Sequence, residues 1–148
     1  MQIEKATVND IPELCQLLAI LFNQEAEFKP DRQAQQTGLQ AIISNPDIGI
    51  ILLARHKDKV VAMVSLLFSI STALGGRVAM LEDMVVLPEQ RDLGIGSALL
   101  AAAISTAREN GCLRITLLTD SYNEIAHRFY DRQGFTRSAM LAFRRLLT

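Results

Sequence analysis

Apolar residues recur along the first third of the chain at helical spacing. From Ile11 to Phe22 they fall on one face, and Asn9 or Asp10 precedes them as the expected N-terminal cap. A second, more polar helix is predicted from Asp31 to about Ile43, where Asn45-Pro46 stops it. The pattern therefore predicts two consecutive helices, after a short strand at the start of the chain.

The middle of the chain changes to apolar runs typical of strands. Residues 49–55 and 60–69 are two such runs joined by a polar turn, which predicts an antiparallel hairpin. Residues 77–86 follow another glycine-containing turn and extend the hairpin into a three-stranded meander.

Helical and strand patterns alternate in the last third. A helix is predicted from Ile95 to near Asn110, then a short buried strand, then a helix over residues 123–133. Residues 135–147 are predicted to form one or two closing strands. This order argues for a single α/β domain over residues 1–148, with a mixed sheet and helices on both faces.

Composition narrows the function classes. The 148 residues are 49% hydrophobic and 21% charged, as expected for one well-packed domain, and the formal net charge is −1. That balance gives no electrostatic case for binding nucleic acid or an anionic membrane. Cys15 and Cys112 lack the spacing of a metal site, so no metal is expected. No apolar run reaches a membrane-spanning length and no signal peptide is evident, so we expect a cytoplasmic protein.

The segment from Leu81 to Leu100 combines a strand, a glycine turn and a helix. Gly94 and Gly96 would let backbone N–H groups converge on a phosphate at the start of the helix. The turn lacks the lysine of a P-loop and the third glycine of a dinucleotide fingerprint. The same glycines would also suit a tight strand-to-helix turn that holds no ligand.

Two adjacent carboxylates interrupt the apolar strand before this turn. Glu82 and Asp83 point to opposite faces of a strand, so at most one can face a given site. A carboxylate in apolar surroundings destabilises the fold unless it forms an ion pair or contacts water. Such a group is a candidate general base. The alternative is a structural ion pair with Arg77 or Arg55.

A third group of residues lies on the predicted helix after position 123. Ile125 and Phe129 are spaced to anchor the helix, and Tyr130 could place a phenol near a site. On composition alone, Tyr130 would equally suit a core position.

The glycine turn Arg91–Gly96 and the segment Asn123–Phe135 occur at a spacing that resembles the GNAT acyltransferase superfamily. The resemblance covers essentially the whole chain, and it implies a mixed, mostly antiparallel twisted sheet with a splayed central strand. Leu81–Val86 is most similar to spermidine/spermine N-acetyltransferases and their diamine relatives. Gln24 and Glu25 depart from that subgroup, which carries an aromatic residue and an acid there.

The resemblance implies transfer of an acetyl group from acetyl-CoA to a primary amine, with no metal. Glu82 is then the general base and Tyr130 the general acid. Substrate-binding residues would be Gln24, Glu25 and Glu82. The residues implied to hold acetyl-CoA are Met84, Val85, Val86, Arg91, Asp92, Leu93, Gly94, Ile95, Gly96, Ser97, Asn123 and Ala126.

The acceptor predicted first is a small amine or polyamine, because several acids could attract a cation. A protein N-terminus, a lysine side chain or an amino acid is the alternative acceptor. A non-catalytic acyl-CoA-binding module is the competing class, although it would need neither Glu82 nor Tyr130. The resemblance also suggests a homodimer.

Overall fold

A computed structural model describes residues 1–24 and 29–148 of the chain. Glu25, one of the predicted substrate-binding residues, lies outside the described residues. The chain divides into two compact units, residues 1–117 and residues 118–148. The single domain expected from the sequence stays a prediction.

The first unit is built on a five-stranded sheet in the order β1-β2-β3-β4-β5. Neighbouring strands are antiparallel except for β4 and β5, which run parallel. The strands are β1 Gln2–Lys5, β2 Gly49–His56, β3 Lys59–Ser71, β4 Gly76–Val86 and β5 Ile115–Leu117.

Three α-helices accompany this sheet, and a fourth lies in the second unit. The helix α1 packs against α2 and against β3 and β4, while α3 packs against β2, β3 and β4. Short 3₁₀ helices cover Val8–Asp10 and Pro88–Gln90. The α-helices are α1 Ile11–Gln24, α2 Arg32–Ile43, α3 Ile95–Glu109 and α4 Glu124–Arg132.

The two central strands carry the core. Residues 60–66 of β3 are buried without a break, as are residues 49–54 of β2. Because successive side chains of a strand point to opposite faces, unbroken burial requires that both faces are covered. The predicted class, a mostly antiparallel sheet with helices on both faces, is confirmed.

The entry into α1 differs in detail from the prediction. Thr7, not Asn9 or Asp10, is the capping residue, and the Asp10 carboxylate accepts hydrogen bonds from the Thr7 backbone N–H at 2.8 Å and hydroxyl at 3.2 Å. Arg55 on β2 donates to both Asp10 and Glu4. These bonds, together with Arg55, hold the pKa of Asp10 below its usual value, although burial opposes the shift.

The predicted closing strands are wrong. Within residues 118–148 the regular structure is α4, and residues 135–148 form no strand. A strand needs a hydrogen-bonded neighbour, and this unit contains no other strand to pair with. The large apolar side chains of residues 135–148 are mostly exposed. They are Met140, Leu141, Phe143, Leu146 and Leu147.

Among the described residues, no helix is long and apolar enough to cross a membrane.

Candidate active site

A β-bulge interrupts β4 at Asp83 and Met84. Ser65 pairs with Glu82 and Met63 with Val85, so a single residue of β3 lies opposite two residues of β4. Asp83 has a φ of 55°, in the left-handed region that aspartate tolerates better than most residues. Such a bulge bends its strand and re-aims the side chains at that point.

The sheet also opens at this position. The parallel ladder between β4 and β5 runs from Ala79–Ile115 to Leu81–Leu117 and ends there, although β4 continues to Val86. Met84, Val85 and Val86 therefore follow the last residue that pairs with β5. The splayed central strand implied by the resemblance is present in the first unit.

The glycine turn after β4 contains two left-handed residues in close succession. Asp92 has a φ of 65° and Gly94 a φ of 82°, and Gly94 is the residue from which α3 begins. Alternating backbone conformations of this kind turn neighbouring N–H groups toward one point. The first turn of α3 adds further N–H groups at the positive end of the helix dipole.

Arg91 fixes this turn to the end of β4. Its Nε donates a hydrogen bond to the carbonyl oxygen of Val86 at 3.1 Å, and the side chain is exposed. The turn residues Arg91 to Gly94 are exposed, whereas Ile95 is buried and anchors the helix below them. The turn therefore presents backbone to the surface on a fixed base, which suits an anionic group such as a phosphate.

The two carboxylates of β4 have different surroundings. Glu82 is exposed, whereas Asp83 is partly buried and accepts a hydrogen bond from the hydroxyl of the buried Ser65 at 3.4 Å. Arg55, one suggested partner of Asp83, is bound to Glu4 and Asp10, and Arg77 stacks on the ring of Phe68 at 4.7 Å. Within residues 1–24 and 29–148, Asp83 forms no ion pair.

Burial raises the pKa of Asp83 to about 6. The neighbouring Glu82 carboxylate adds to the increase, and the hydrogen bond from Ser65 opposes it. A carboxyl group with this pKa can exchange a proton near neutral pH, which an ordinary aspartate does poorly.

Asp83 also lines a cavity of about 250 Å³ between α1, α2 and β4. Gln24 is exposed at the C-terminal end of α1 and does not line the cavity. The lining side chains are otherwise mostly apolar, and Gln35 is the buried polar residue among them. The described residues around the cavity are Leu18, Phe22, Lys29, Asp31, Ala34, Gln35, Gly38, Leu39, Ile42 and Asp83.

The remaining predicted residues lie in the second unit, on α4. The side chain of Asn123 caps this helix by accepting a hydrogen bond from the Ala126 N–H at 3.1 Å. Tyr130 makes edge-on ring contacts with Phe129 and Phe135, at centroid distances of 5.1 and 5.8 Å. Burial raises the pKa of Tyr130 to about 12. Tyr130 is thus a neutral phenol at physiological pH.

The structure thus groups the predicted donor residues of the first unit around one strand end and one helix start. Sequence reasoning missed Gln35, and it named Glu82 rather than Asp83 as the general base. The available signal was the spacing of Gln35 and Leu39, which are the two buried residues of α2 and lie one helical turn apart.

Comparison with known proteins places the chain in a family. Residues 11–135 match the model of the Acetyltransferase (GNAT) family. The chain belongs to this family, and it is an acetyl-CoA-dependent N-acetyltransferase.

Two relatives match most of the chain. The uncharacterized N-acetyltransferase YhfO of Bacillus subtilis is 31% identical over 91% of this chain and 89% of its own length. The aminoalkylphosphonate N-acetyltransferase of Salmonella typhimurium is 31% identical over 93% of this chain and 86% of its own length.

Solved structures agree on the fold. An integron cassette protein from the mobile metagenome of Cole Harbour Salt Marsh superposes with a TM-score of 0.86 at 26% identity, covering 99% of this chain and 91% of its own. The glucosamine-6-phosphate N-acetyltransferase of Arabidopsis thaliana superposes with a TM-score of 0.77 over 97% of each chain, but at 18% identity it shows the fold alone.

Proposed function

We propose that the acceptor is a small primary amine that enters the cavity between α1 and α2. The observation that supports this most is the partly buried carboxyl of Asp83 in a mostly apolar cavity of about 250 Å³. A carboxylate in such surroundings attracts an ammonium group, and the cavity volume suits a small molecule rather than a folded protein surface. A polyamine, as in the subgroup that the sequence resembles, is one member of this class.

The donor is proposed to bind where the backbone is exposed. The N–H groups from Asp92 to Ser97 would hold the pyrophosphate of acetyl-CoA, with Arg91 beside them. Met84 to Val86 would pair with the pantetheine arm, because their ladder with β5 has already ended. Asn123 and Ala126 are proposed to complete the donor site.

The reaction is a direct transfer that moves two protons. The protonated amine first loses a proton, and its nitrogen then attacks the thioester carbonyl. The new C–N bond forms, the C–S bond breaks, and the nitrogen loses its second proton. One of the two protons ends on the departing thiolate to give CoA, and the other leaves to solvent. Backbone N–H near Met84 would stabilise the negative charge on the carbonyl oxygen.

Two neighbouring carboxyls are candidates for the general base. Glu82 is the base implied by the family resemblance. Asp83 is the second candidate, and two observations favour it: it lines the cavity, and its pKa of about 6 lies near the working pH.

Tyr130 is the proposed acid for the thiolate. With a pKa of about 12, it is a weaker acid than a thiol of pKa about 8.5, so complete proton transfer before C–S cleavage is uphill by roughly 4–5 kcal/mol. Transfer concerted with C–S cleavage avoids that cost. Tyr130→Phe should then lower kcat by about 10²–10⁴ while the KM for the amine changes little.

Single-turnover acetyl transfer with rapid mixing would measure this effect on the chemical step. Phe129→Leu is the matched control, since it alters the same ring cluster without removing a hydroxyl. Turnover by Tyr130→Phe at the wild-type rate would remove Tyr130 from the mechanism.

The experiment that tests the proposal is a screen of thiol release from acetyl-CoA. Polyamines, alkylamines, lysine analogues, amino acids and peptides with free N-termini would be compared at equal concentration. A small amine should give the highest kcat/KM. Preference for a peptide would contradict the proposed acceptor, and silence with every amine despite acetyl-CoA binding would favour the non-catalytic module.

Homodimerisation and a cytoplasmic location remain further proposals. Light scattering of the purified protein would decide the first, and fractionation of cells that express the chain would decide the second.

A further inference from the structure

Gln35 carries a buried amide group that the fold leaves without a partner. The residue is 8% exposed, and its Nε2 is shielded from solvent. In the described part of the chain, this Nε2 donates a hydrogen bond to no acceptor. It lies on α2 one helical turn before the buried Leu39, and both line the cavity described above.

An arrangement of this kind destabilises the folded protein unless something else forms the bond. A buried N–H donor with no acceptor loses its hydrogen bonds to water and gains nothing in return. The other residues of α2 in the lining, Ala34, Gly38 and Ile42, offer no side-chain acceptor. Residues 1–24 and 29–148 supply no acceptor for this N–H group, and a molecule in the cavity could supply one.

The charged groups of the lining define the rest of the ligand. Asp83 provides a carboxyl on the β4 side, and Lys29 provides a cation before α2. The third charged residue, Asp31, already uses its Oδ1 to accept a hydrogen bond from the Ala34 N–H at the start of α2. The cavity thus combines one carboxyl that suits an ammonium group with a cation and an N–H donor that suit an anionic oxygen.

We propose that Gln35 determines acceptor specificity, and that the acceptor is a small amine that also carries an acidic oxygen group, a carboxylate or a phosphonate. The ammonium end lies at Asp83, and an oxygen of the acidic group accepts the hydrogen bond from Gln35 Nε2. This inference rests on the proposed function, since it takes the cavity as the acceptor site.

A polyamine fits these groups less well. At neutral pH its nitrogens are protonated and offer only N–H donors, so Gln35 Nε2 would stay unpaired. A second ammonium group would also lie in the same cavity as Lys29, and like charges repel. An acidic oxygen group satisfies both residues at once.

Matched acceptors test the inference directly. Thiol release from acetyl-CoA would be measured with 2-aminoethylphosphonate, β-alanine, propylamine and 1,3-diaminopropane, which differ chiefly at the end away from the reacting amine. We expect one of the two acids to have a kcat/KM at least about tenfold above both other amines. The phosphonate and carboxylate arms then identify which acidic group the cavity prefers.

Substitutions of Gln35 assign the preference to this residue. Gln35→Leu removes the donor at similar volume and should lower kcat/KM for the preferred acid by about 10- to 100-fold, with little effect on propylamine. Gln35→Glu puts a negative charge in its place and should reverse the preference toward 1,3-diaminopropane. Gln33→Leu, at an exposed position on the same helix, is the control and should change none of these values.

Thermal unfolding supplies a readout that does not depend on turnover. Gln35→Leu should unfold at the wild-type temperature or above, because it removes an unpaired buried donor. The preferred acid should raise the unfolding temperature of the wild type but not of Gln35→Leu.

Four outcomes are decisive. An acid preference that Gln35→Leu abolishes establishes the inference. Faster reaction with 1,3-diaminopropane than with either acid, or a preference that Gln35→Leu leaves intact, overturns it. Stabilisation of the wild type but not of Gln35→Leu by an acid, without any acetyl transfer, would uphold the binding role of Gln35 and overturn the proposed function instead.

Discussion

The two halves of the candidate site are built from different parts of the polypeptide. Around residues 84–97 the groups available for binding are backbone N–H groups, exposed by a strand that loses its neighbour and a turn with left-handed residues. In the cavity between α1 and α2 the polar groups are side chains, above all Asp83 and Gln35. Backbone recognition depends on the path of the chain, whereas side-chain recognition depends on single residues.

This difference predicts opposite responses to mutation. Most side-chain substitutions in the turn leave its N–H groups in place, so the donor half should tolerate them unless the backbone itself is changed. A single substitution at Asp83 or Gln35 removes a polar group of the cavity. We therefore expect that substitutions in the cavity change acceptor choice without loss of donor binding.

The largest effect should come from Asp83→Asn. Asparagine adopts the left-handed conformation of this position readily, so the bulge should persist while the proton acceptor is lost. We expect kcat/KM for the amine to fall by about 10²–10⁴ with the KM for acetyl-CoA unchanged. Steady-state kinetics in both substrates would measure this, and a loss of less than threefold would contradict a role for Asp83 as base.

A change in the backbone conformation of the turn should weaken acetyl-CoA binding, by a smaller factor than Asp83→Asn lowers kcat/KM. Gly94→Val places a β-branched residue at a φ of 82°, at a cost of about 1–2 kcal/mol or more, and should raise the KM for acetyl-CoA about tenfold. Gly94→Asn, which tolerates this conformation, should remain within about threefold of the wild type. Isothermal titration with CoA would measure both variants, and equal affinities would indicate that the turn conformation is irrelevant to binding.

Asp83→Asn should also stabilise the fold. The pKa of Asp83 is about 6 in the folded protein against an ordinary value of 3.8, so between about pH 4 and pH 6 the folded state binds more protons. Stability therefore falls as the pH rises through this window and stays lowered above it. Removing the charge should raise the free energy of unfolding by about 1–3 kcal/mol at pH 7, with little change at pH 4.

Urea unfolding of wild type and Asp83→Asn at these two pH values would test this expectation. Equal stability at pH 7 would mean that Asp83 titrates normally. Ser65→Ala is a useful companion, because loss of its hydrogen bond to Asp83 should raise the pKa of that carboxyl further.

The smallest expected effect is a shift in the pH dependence of kcat/KM, and it distinguishes the two carboxyls of β4. If Asp83 is the base, kcat/KM falls below about pH 6, and Glu82→Gln shifts this fall to lower pH by up to about one pH unit, because Glu82 raises the pKa of Asp83. If Glu82 is the base, the same variant loses most of its activity at every pH. A pH–rate profile of Glu82→Gln therefore decides between them.

The sequence by itself determined the order of the helices and strands in the first unit and the position of the glycine turn before α3. These features depend on local signals: apolar periodicity gave α1 and the meander, and Gly94 marked the start of α3. The same local reasoning failed for residues 135–147, because a strand requires a partner and sequence periodicity does not show whether one is available.

The tertiary structure alone decided which polar side chains meet in the cavity. Glu82 and Asp83 are adjacent acids in the sequence, and only the packing around β4 shows that Glu82 is exposed and Asp83 partly buried. Gln35 stands among polar residues of a polar helix, and its burial depends on the packing of α2 against α1 and β2. The cause is the same in both cases: burial is a property of the neighbours that the fold supplies, and those neighbours are distant in sequence.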